Sequence, residues 1–403
     1  MTKGPGGSGI NSSSTRLMWK IGIATCCRIL LNTARRFVYP FAPVLSRGLG
    51  VPLTAITSII AINQLTGVLG PVFGPLGDRW GYRIMLISGM GMLAGGMLAA
   101  GFFPFYGVIV IALFLAGLGK NIFDPAIQGY VGRQVPYRKR GFAIGIMEVS
   151  WAGSTLIGIP LAGVLIGYFG WRAPFLVLGG LALIGMIAIG VMIPSRRLPA
   201  GSSQPPVSLL GAWTMLCRKR TSAGILFFSF LVSAANDIFF VVYGVWLEHS
   251  FGLSIVVLGS TAILIGLAEL LGEGLTATMA DRFGLKQTAV VALVLSMASY
   301  AVLPFLGQTI GTALIAIFIV FVFVELSIVT TLSLSTEILP HARATMMSGY
   351  IGTAGLGRVC GALMGGVVWI QGGIAGIALV SVLMSILAFI ALLWALRNWN
   401  PLQ

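Results

Sequence analysis

The chain has 403 residues, 57% of them apolar and only 9% charged, against roughly 45–50% apolar and about 25% charged in soluble domains; this excludes a soluble enzyme and an intrinsically disordered protein. The net charge of +15, from 25 Lys plus Arg against 10 Asp plus Glu, would suggest nucleic-acid binding on a soluble surface. Here the basic residues fall in the connections between long apolar stretches, which excludes that partner.

A bilayer core about 30 Å thick takes roughly 20 apolar residues per helix, so the length accommodates about twelve spans. Residues 1–17 are Gly and Ser rich and read as a disordered cytoplasmic tail before a retained first helix. The predicted spans are 18–45, 54–77, 83–103, 106–131, 140–168, 173–194, 222–248, 254–277, 287–306, 309–336, 342–369 and 373–396. Three long uncharged stretches divide into helical hairpins at Pro104, at Gly307 with Gln308, and at Gln371 with Gly372 and Gly373. Residues 195–221 combine Pro, Ser and basic residues and read as a cytoplasmic linker between a bundle at 18–194 and a bundle at 222–397, with a short cytoplasmic tail at 398–403.

The connections alternate in charge. Arg79, Arg83, Arg133, Arg138, Lys139, Arg140, Arg196, Arg197, Arg218, Lys219, Arg220, Arg282 and Lys286 fall on one side, and only Arg47 and Arg172 on the other. By the positive-inside rule the first side is cytoplasmic, which predicts a multi-pass protein of the cell membrane with both termini inside. Cys26, Cys27, Cys217 and Cys360 have neither disulfide nor metal-ligand spacing and are expected as buried small hydrophobes. No nucleotide-binding loop or catalytic cluster occurs, so no cofactor, no metal and no enzymatic activity are expected.

The segment GPLGDRWGYR at 74–83 returns as ATMADRFGLK at 277–286, an internal repeat. The first copy carries Gly74, Asp78, Arg79, Gly81 and Arg83, and the second Asp281, Arg282, Gly284 and Lys286. Both resemble the loop signature of the major facilitator superfamily. The fifth span adds Gly158, Pro160 and Gly163, followed by Gly170, Trp171 and Arg172, which is similar to the fifth-helix motif of the drug:proton antiporter and sugar-efflux branches. The resemblance implies an all-α membrane protein of two pseudo-symmetric six-helix bundles. It also implies that Asp78 meets the positive end of the eleventh helix as part of a gate. Two positions depart from the family: Arg133 stands where many relatives carry an acid, and Leu113 where antiporters often carry an arginine.

Ionisable side chains at bilayer depth cost several kcal/mol, so each is a pathway or pairing residue. The first half holds Arg28, Arg35, Arg36, Lys120, Asp124 and Glu148; the second holds Arg358, Asp237, Glu269, Glu273 and Glu325. Helical spacing puts Arg28, Asn32 and Arg35 or Arg36 on one face, Lys120 and Asp124 on a second, and Glu148 with Trp151 on a third. Asn236, Tyr243 and Arg358 complete the expected substrate-binding set. Asp237, Glu325, Glu148 and Glu269 are the expected proton-coupling acids.

Two readings stay open. In one, Lys120 pairs with Asp124, Arg358 with Glu325, and the first-span arginines with acids across the bundle interface. In the other, a first-span arginine binds an anionic group of the substrate and an opposed acid carries protons. The expected function is secondary transport by alternating access, as proton-coupled export of a small organic solute, with uptake or exchange of an organic anion as the alternative. The expected partners are that solute, protons and membrane lipid, and the expected assembly is a monomer.

Overall fold

The computed structural model describes residues 9–69, 80–135, 147, 149–194, 214, 216–338, 343–397 and 399. In chain order the helices are α1 (Gly9–Arg36), α2 (Ala42–Leu49), α3 (Leu53–Leu65), α4 (Tyr82–Phe102), α5 (Tyr106–Gln134), α6 (Val149–Phe169) and α7 (Ala173–Met192). They are followed by α8 (Arg220–Phe240), α9 (Tyr243–Phe251), α10 (Ile255–Phe283), α11 (Leu285–Leu306), α12 (Ile310–Ile338) and α13 (Arg343–Leu396). Among the described residues nine helices are long and apolar enough to cross a membrane, and the bent α2–α3 pair raises this to ten. Helix α13 carries a non-helical residue at Gly373 (φ 55°, ψ −148°) that divides it into two arms.

Two predicted spans contain a break in the helix, although 220–251 still forms one membrane-length stretch. The first, 18–45, is not continuous: α1 stops at Arg36, and the chain turns before α2. Pro40 cannot donate to a helical ladder and its ring clashes with the carbonyl four residues earlier, which here is that of Arg36. The seventh, 222–248, is likewise interrupted between Phe240 and Tyr243. There Gly244 lies so close to the Pro40 turn that an added Cβ would stand 2.3 Å from the Pro40 oxygen. The cysteines also differ from expectation: Cys27 is buried, but Cys26 and Cys217 are exposed and Cys360 is half-buried. A helix face turned to lipid needs no burial for an apolar side chain.

The backbone itself carries the repeat. Glycines with positive φ fall in pairs, Gly50 with Gly252, Gly81 with Gly284, and Gly170 with Gly373, each pair 202 or 203 residues apart. Gly81 and Gly284, which open α4 and α11, are the shared glycine of the two loop motifs, with φ of 89° and 78°. A side chain at such φ costs roughly 1–2 kcal/mol. Nothing lies within 4 Å of a Cβ added at Gly284. Gly284→Ala is therefore expected to lower stability by about 1 kcal/mol through backbone strain alone, read as a lower thermal midpoint of the purified protein; an unchanged midpoint would show that this turn relaxes freely.

Within the first half α4 packs on α5 and α7, and α1 lies against α5 and α7; within the second half α8 packs on α13, and α12 on α10 and α11. Small residues set these approaches, as usual where lipid provides no hydrophobic drive. An added Cβ on Gly89 would meet the Gly119 oxygen at 2.7 Å, and one on Gly96 the Ala112 oxygen at 3.0 Å. Gly95 of the same run touches nothing within 4 Å, so only part of that glycine run serves packing.

The halves meet through α2 with α9, α6 with α10, and α3 with α13. Within the membrane-spanning helices Gly163 of α6 packs backbone to backbone against Gly259 of α10, where a Cβ on either would lie 3.0–3.1 Å from the other's Cα. The Arg47 guanidinium donates two hydrogen bonds to the Glu248 carboxylate, at 2.6 and 3.1 Å. These contacts lie on the face away from the basic connections, hereafter the far face, and hold the halves together there. The tail predicted as disordered at 1–17 is corrected in part, since residues 9–17 are helical as the start of α1; residues 1–8, most of the 195–221 linker and the segments at 70–79, 136–146 and 339–342 lie outside the described residues.

Candidate functional site

Arg28, Arg35 and Arg36 of α1 do not share one destination. Arg28 Nε donates to Asp124 Oδ1 at 3.0 Å and its Nη1 to the Met147 oxygen at 3.0 Å. One turn on, Asn32 Nδ2 donates to Ser150 Oγ at 3.3 Å. Arg35 turns to α3, giving Nε to Asn63 Oδ1 and Nη2 to Gln64 Oε1, both at 3.0 Å. Arg36, one residue and about 100° further round the helix, crosses to the second half, where Nη2 donates to Glu269 Oε1 at 2.5 Å.

Arg36 is 5% exposed and stacks 4.2 Å above the Trp151 ring and 5.8 Å from Phe240. Glu269 accepts a second hydrogen bond from Thr155 Oγ1 at 3.3 Å. Thr155 sits in a π-helical turn, Ser154–Gly158, inside α6; such turns re-aim side chains at functional sites. The buried charge pair thus has aromatic and hydroxyl support, without which its desolvation would outweigh its attraction.

A second connection crosses between the halves. Gln64 Nε2 donates to Tyr39 Oη at 2.5 Å, and Tyr39 Oη donates to Asp237 Oδ1 at 2.9 Å. Arg358 Nε lies 3.9 Å from Asp237 Oδ2. Arg35 is an obligate donor, so it fixes the Gln64 amide with its oxygen toward α1 and its nitrogen toward Tyr39. The chain Arg35–Gln64–Tyr39–Asp237 therefore runs in one direction only. Tyr39→Phe keeps the ring, which stacks 4.4 Å from Phe240, but strands the Gln64 amide and removes the donor to Asp237. A loss of about 1–3 kcal/mol in stability is expected, with a slower transport rate; a variant equal to the parent in both assays would remove Tyr39 from the mechanism.

These groups surround a cavity of about 90 Å³ in which Arg36, Tyr39, Gln64 and Trp151 face Asn236, Asp237, Phe240, Glu269, Phe321, Glu325 and Arg358. Two guanidiniums and three carboxyls line it. Glu325 makes no hydrogen bond or ion pair among the described residues, although Glu269, Glu273, Arg36 and Arg358 all lie within electrostatic range. Gly272 makes room for it, since a Cβ there would meet the Glu325 Cβ at 2.8 Å.

Of the residues expected from sequence, Arg36, Trp151, Asn236, Asp237, Glu269, Glu325 and Arg358 converge on this cavity. Arg28, Lys120 and Asp124 instead form a cluster inside the first half, with Lys120 bonded to Asp124 and 6.0 Å from the Trp151 ring. Arg358 faces Asp237 and not Glu325. Tyr243 stacks on Phe240 at 5.5 Å behind the cavity wall. Arg83 ties the start of α4 to α7 through the Gly190 oxygen at 2.5 Å, and Arg282 is exposed at the end of α10. Glu148, Gly74, Asp78 and Arg79 lie outside the described residues, as does the side chain of Asp281.

Sequence reasoning missed Tyr39, Asn63, Gln64 and Phe240. The adjacent amides Asn63 and Gln64 in an otherwise apolar helix were a legible signal; a lone tyrosine before Pro40 was not. Near the family departure at Leu113, Asn63 Nδ2 donates to the Leu113 main-chain oxygen at 2.6 Å while its Oδ1 takes Arg35, so the Arg35 cation of α1 is linked to this point of the fourth span through one amide. The groups that line the site offer ion pairing, hydrogen bonding and proton binding.

Comparison with known proteins agrees with this architecture. The sequence model of the Major Facilitator Superfamily matches residues 24–242 and again 225–401, once for each half. The MFS-type transporter YceJ of Bacillus subtilis is 24% identical over 234 residues, 58% of this chain and 59% of that protein. The PmrA homolog of Lactococcus lactis, named a multi-drug resistance efflux pump, is 23% identical over 280 residues, 66% of this chain and 68% of that protein. In three dimensions the chain is similar to a bacterial homolog of the human lysosomal transporter Spinster in an inward-facing, unoccupied conformation, with a TM-score of 0.73 at 16% identity over 98% of this chain and 100% of that one.

Proposed function

The chain belongs to the Major Facilitator Superfamily, and on that premise we propose that it is a proton-coupled antiporter exporting a small organic solute across the cell membrane. The bundles at 18–194 and 222–397, joined by the 195–221 linker, rock about the central cavity. The basic face is cytoplasmic, with both termini on it. One chain suffices, since each of its halves contributes one wall of the cavity.

The observation that carries this reading is the Arg36–Glu269 pair, which bridges the halves beside the unpartnered Glu325. The pair exists with the far face closed. Opening that face parts the halves and draws Arg36 from Glu269 and Tyr39 from Asp237. A carboxylate left alone at bilayer depth is costly, so the separation has to be matched by a proton or a cationic solute. Closing the far face returns Arg36 to Glu269 and releases what had replaced it toward the basic side. Protons taken up outside and released inside then exchange for a solute moving outward.

The test is a pH-sensitive dye trapped in proteoliposomes and challenged in turn with ethidium, 2-aminoethanol and benzoate. The expected result is proton movement driven by one of these solutes and lost in Glu269→Gln. Solute flux indifferent to a pH gradient would overturn the coupling. Uptake or exchange of an organic anion has one observation in its favour: both hydrogen-bond partners of Arg35 among the described residues are neutral amides, and no described carboxylate lies at bonding distance of this guanidinium behind the cavity wall. Benzoate-driven flux lost in Arg35→Ala would favour that second reading.

A further inference from the structure

Resting on the transport reading above, we propose that the central cavity takes a compact primary amine bearing an uncharged hydrogen-bond acceptor, the amino-alcohol or amino-amide class, in preference to a lipophilic drug or an organic anion. The geometry that points there is the set of polar groups left without partners around the cavity, and what each of them requires.

The first is Glu325. Arg36 engages Glu269, and Arg358 with Tyr39 engages Asp237, so among the lining carboxyls Glu325 alone has no cation at bonding distance and no donor from the described residues. A protonated amine meets that need, and a ligand carboxylate would stand against it. The second is Arg36 Nη1, which is buried and has no acceptor. Its sister nitrogen is already on the Glu269 carboxylate. An anionic acceptor at Nη1 would crowd Glu269 with like charge, whereas a hydroxyl or carbonyl oxygen supplies the lone pair without that repulsion.

The third is Asn236, whose Oδ1 is buried and unpartnered on the wall beside Asp237. An amide presents an acceptor and two donors together, so it suits a ligand that carries an N–H and an oxygen close to one another. The Trp151 face is covered by the Arg36 guanidinium at 4.2 Å, and Phe240 is packed by Tyr39 at 4.4 Å and Phe321 at 5.2 Å. An aromatic drug therefore finds no free ring to stack on without displacing Arg36. The cavity volume of about 90 Å³ holds about three waters at roughly 30 Å³ each, far below the roughly 300–1,000 Å³ of drug-sized sites.

The test uses the full chain in nanodiscs and reads thermal shift and calorimetric binding for 2-aminoethanol, ethylamine, ethylene glycol, tetraphenylphosphonium and benzoate. The expected result is stabilisation by 2-aminoethanol, with ethylamine (no acceptor) and ethylene glycol (no amine) each about tenfold weaker, the loss of one charge-assisted or buried hydrogen bond. Glu325→Gln is expected to weaken 2-aminoethanol by about tenfold or more. Should that variant fail to fold, Asn236→Ala is expected to bring 2-aminoethanol down to the level of ethylamine. Tetraphenylphosphonium or benzoate binding in place of 2-aminoethanol, or no binding by any probe, overturns the ligand class. Proteoliposome flux separates this from the transport reading: tetraphenylphosphonium that moves protons sinks the ligand class and leaves antiport standing, whereas 2-aminoethanol that binds without proton-linked flux supports the ligand class and sinks antiport.

Discussion

Arg36→Ala is expected to abolish coupled transport and to destabilise the protein by about 3–5 kcal/mol, the cost of removing one partner from a buried ion pair. The loss has two separable parts. Glu269 is left in a site with one remaining donor, Thr155, and the Trp151 and Phe240 faces lose a guanidinium worth on the order of 1–2 kcal/mol in a desolvated setting. Removing both charges together is expected to cost less than removing Arg36 alone, because the double variant Arg36→Ala/Glu269→Ala leaves no unpaired carboxyl; a coupling on the order of 1–3 kcal/mol is expected from the cycle. Arg36→Lys keeps the charge but loses the planar group that stacks on Trp151 while bonding Glu269, so it should fold and transport slowly. Thermal midpoints and proteoliposome flux of the parent, Arg36→Ala, Glu269→Ala, the double variant and Arg36→Lys check the set. An Arg36→Ala variant with parental flux would end the role of this pair in the cycle.

How much of this was legible beforehand depends on whether a residue acts through its own helix or through a neighbour. The apolar stretches and the alternating charge located nearly every helix, because a membrane span is a local property of sequence. The loop repeat was legible for the same reason, and its glycine reappears as the paired positive φ at Gly81 and Gly284. The break after Arg36 was readable in principle from Pro40, yet an uninterrupted apolar run outweighed it. The ionisable residues of the cavity were visible as charges out of place. Their partners were not: Arg35 and Arg36 sit side by side in sequence, and only packing decides that one turns to Gln64 and the other to Glu269. Tyr39 carries no charge and stands alone before Pro40, so nothing local distinguished it from a structural polar residue, whereas the paired amides Asn63 and Gln64 showed that a polar partner was needed but not which one.

Gly163→Leu should trap the transporter away from the state described here. The fifth-helix motif supplies two glycines with different duties. Gly158 packs inside the first half, where an added Cβ would lie 2.0 Å from Thr33 Oγ1. Gly163 packs across the halves, where it would meet the Gly259 Cα and Phe41 Cζ at 3.1 Å. An alanine there asks for shifts of a few tenths of an ångström. A leucine has no such escape, because its neighbour is backbone on a helix of the other half, and the seam on the far face has to part. Overpacking of this kind costs about 1–3 kcal/mol, but the cost falls on the closed conformation and not on either bundle. The expected signature is therefore flux reduced by about tenfold to a hundredfold with the thermal midpoint little changed, whereas Gly158→Ala should lower the midpoint itself. A cross-linking reporter reads the conformation directly. With the four native cysteines replaced by serine, cysteines introduced as Arg47→Cys and Glu248→Cys, whose parent side chains meet tip to tip at 2.6 Å, are too far apart for a direct disulfide but are expected to be joined readily in the parent, and slowly with Gly163→Leu, by a bifunctional maleimide whose spacer replaces the two side chains. Equal cross-linking in both would mean that α6 and α10 accommodate the side chain without opening the far face, and the Gly163–Gly259 contact would then be a packing feature with no part in the cycle.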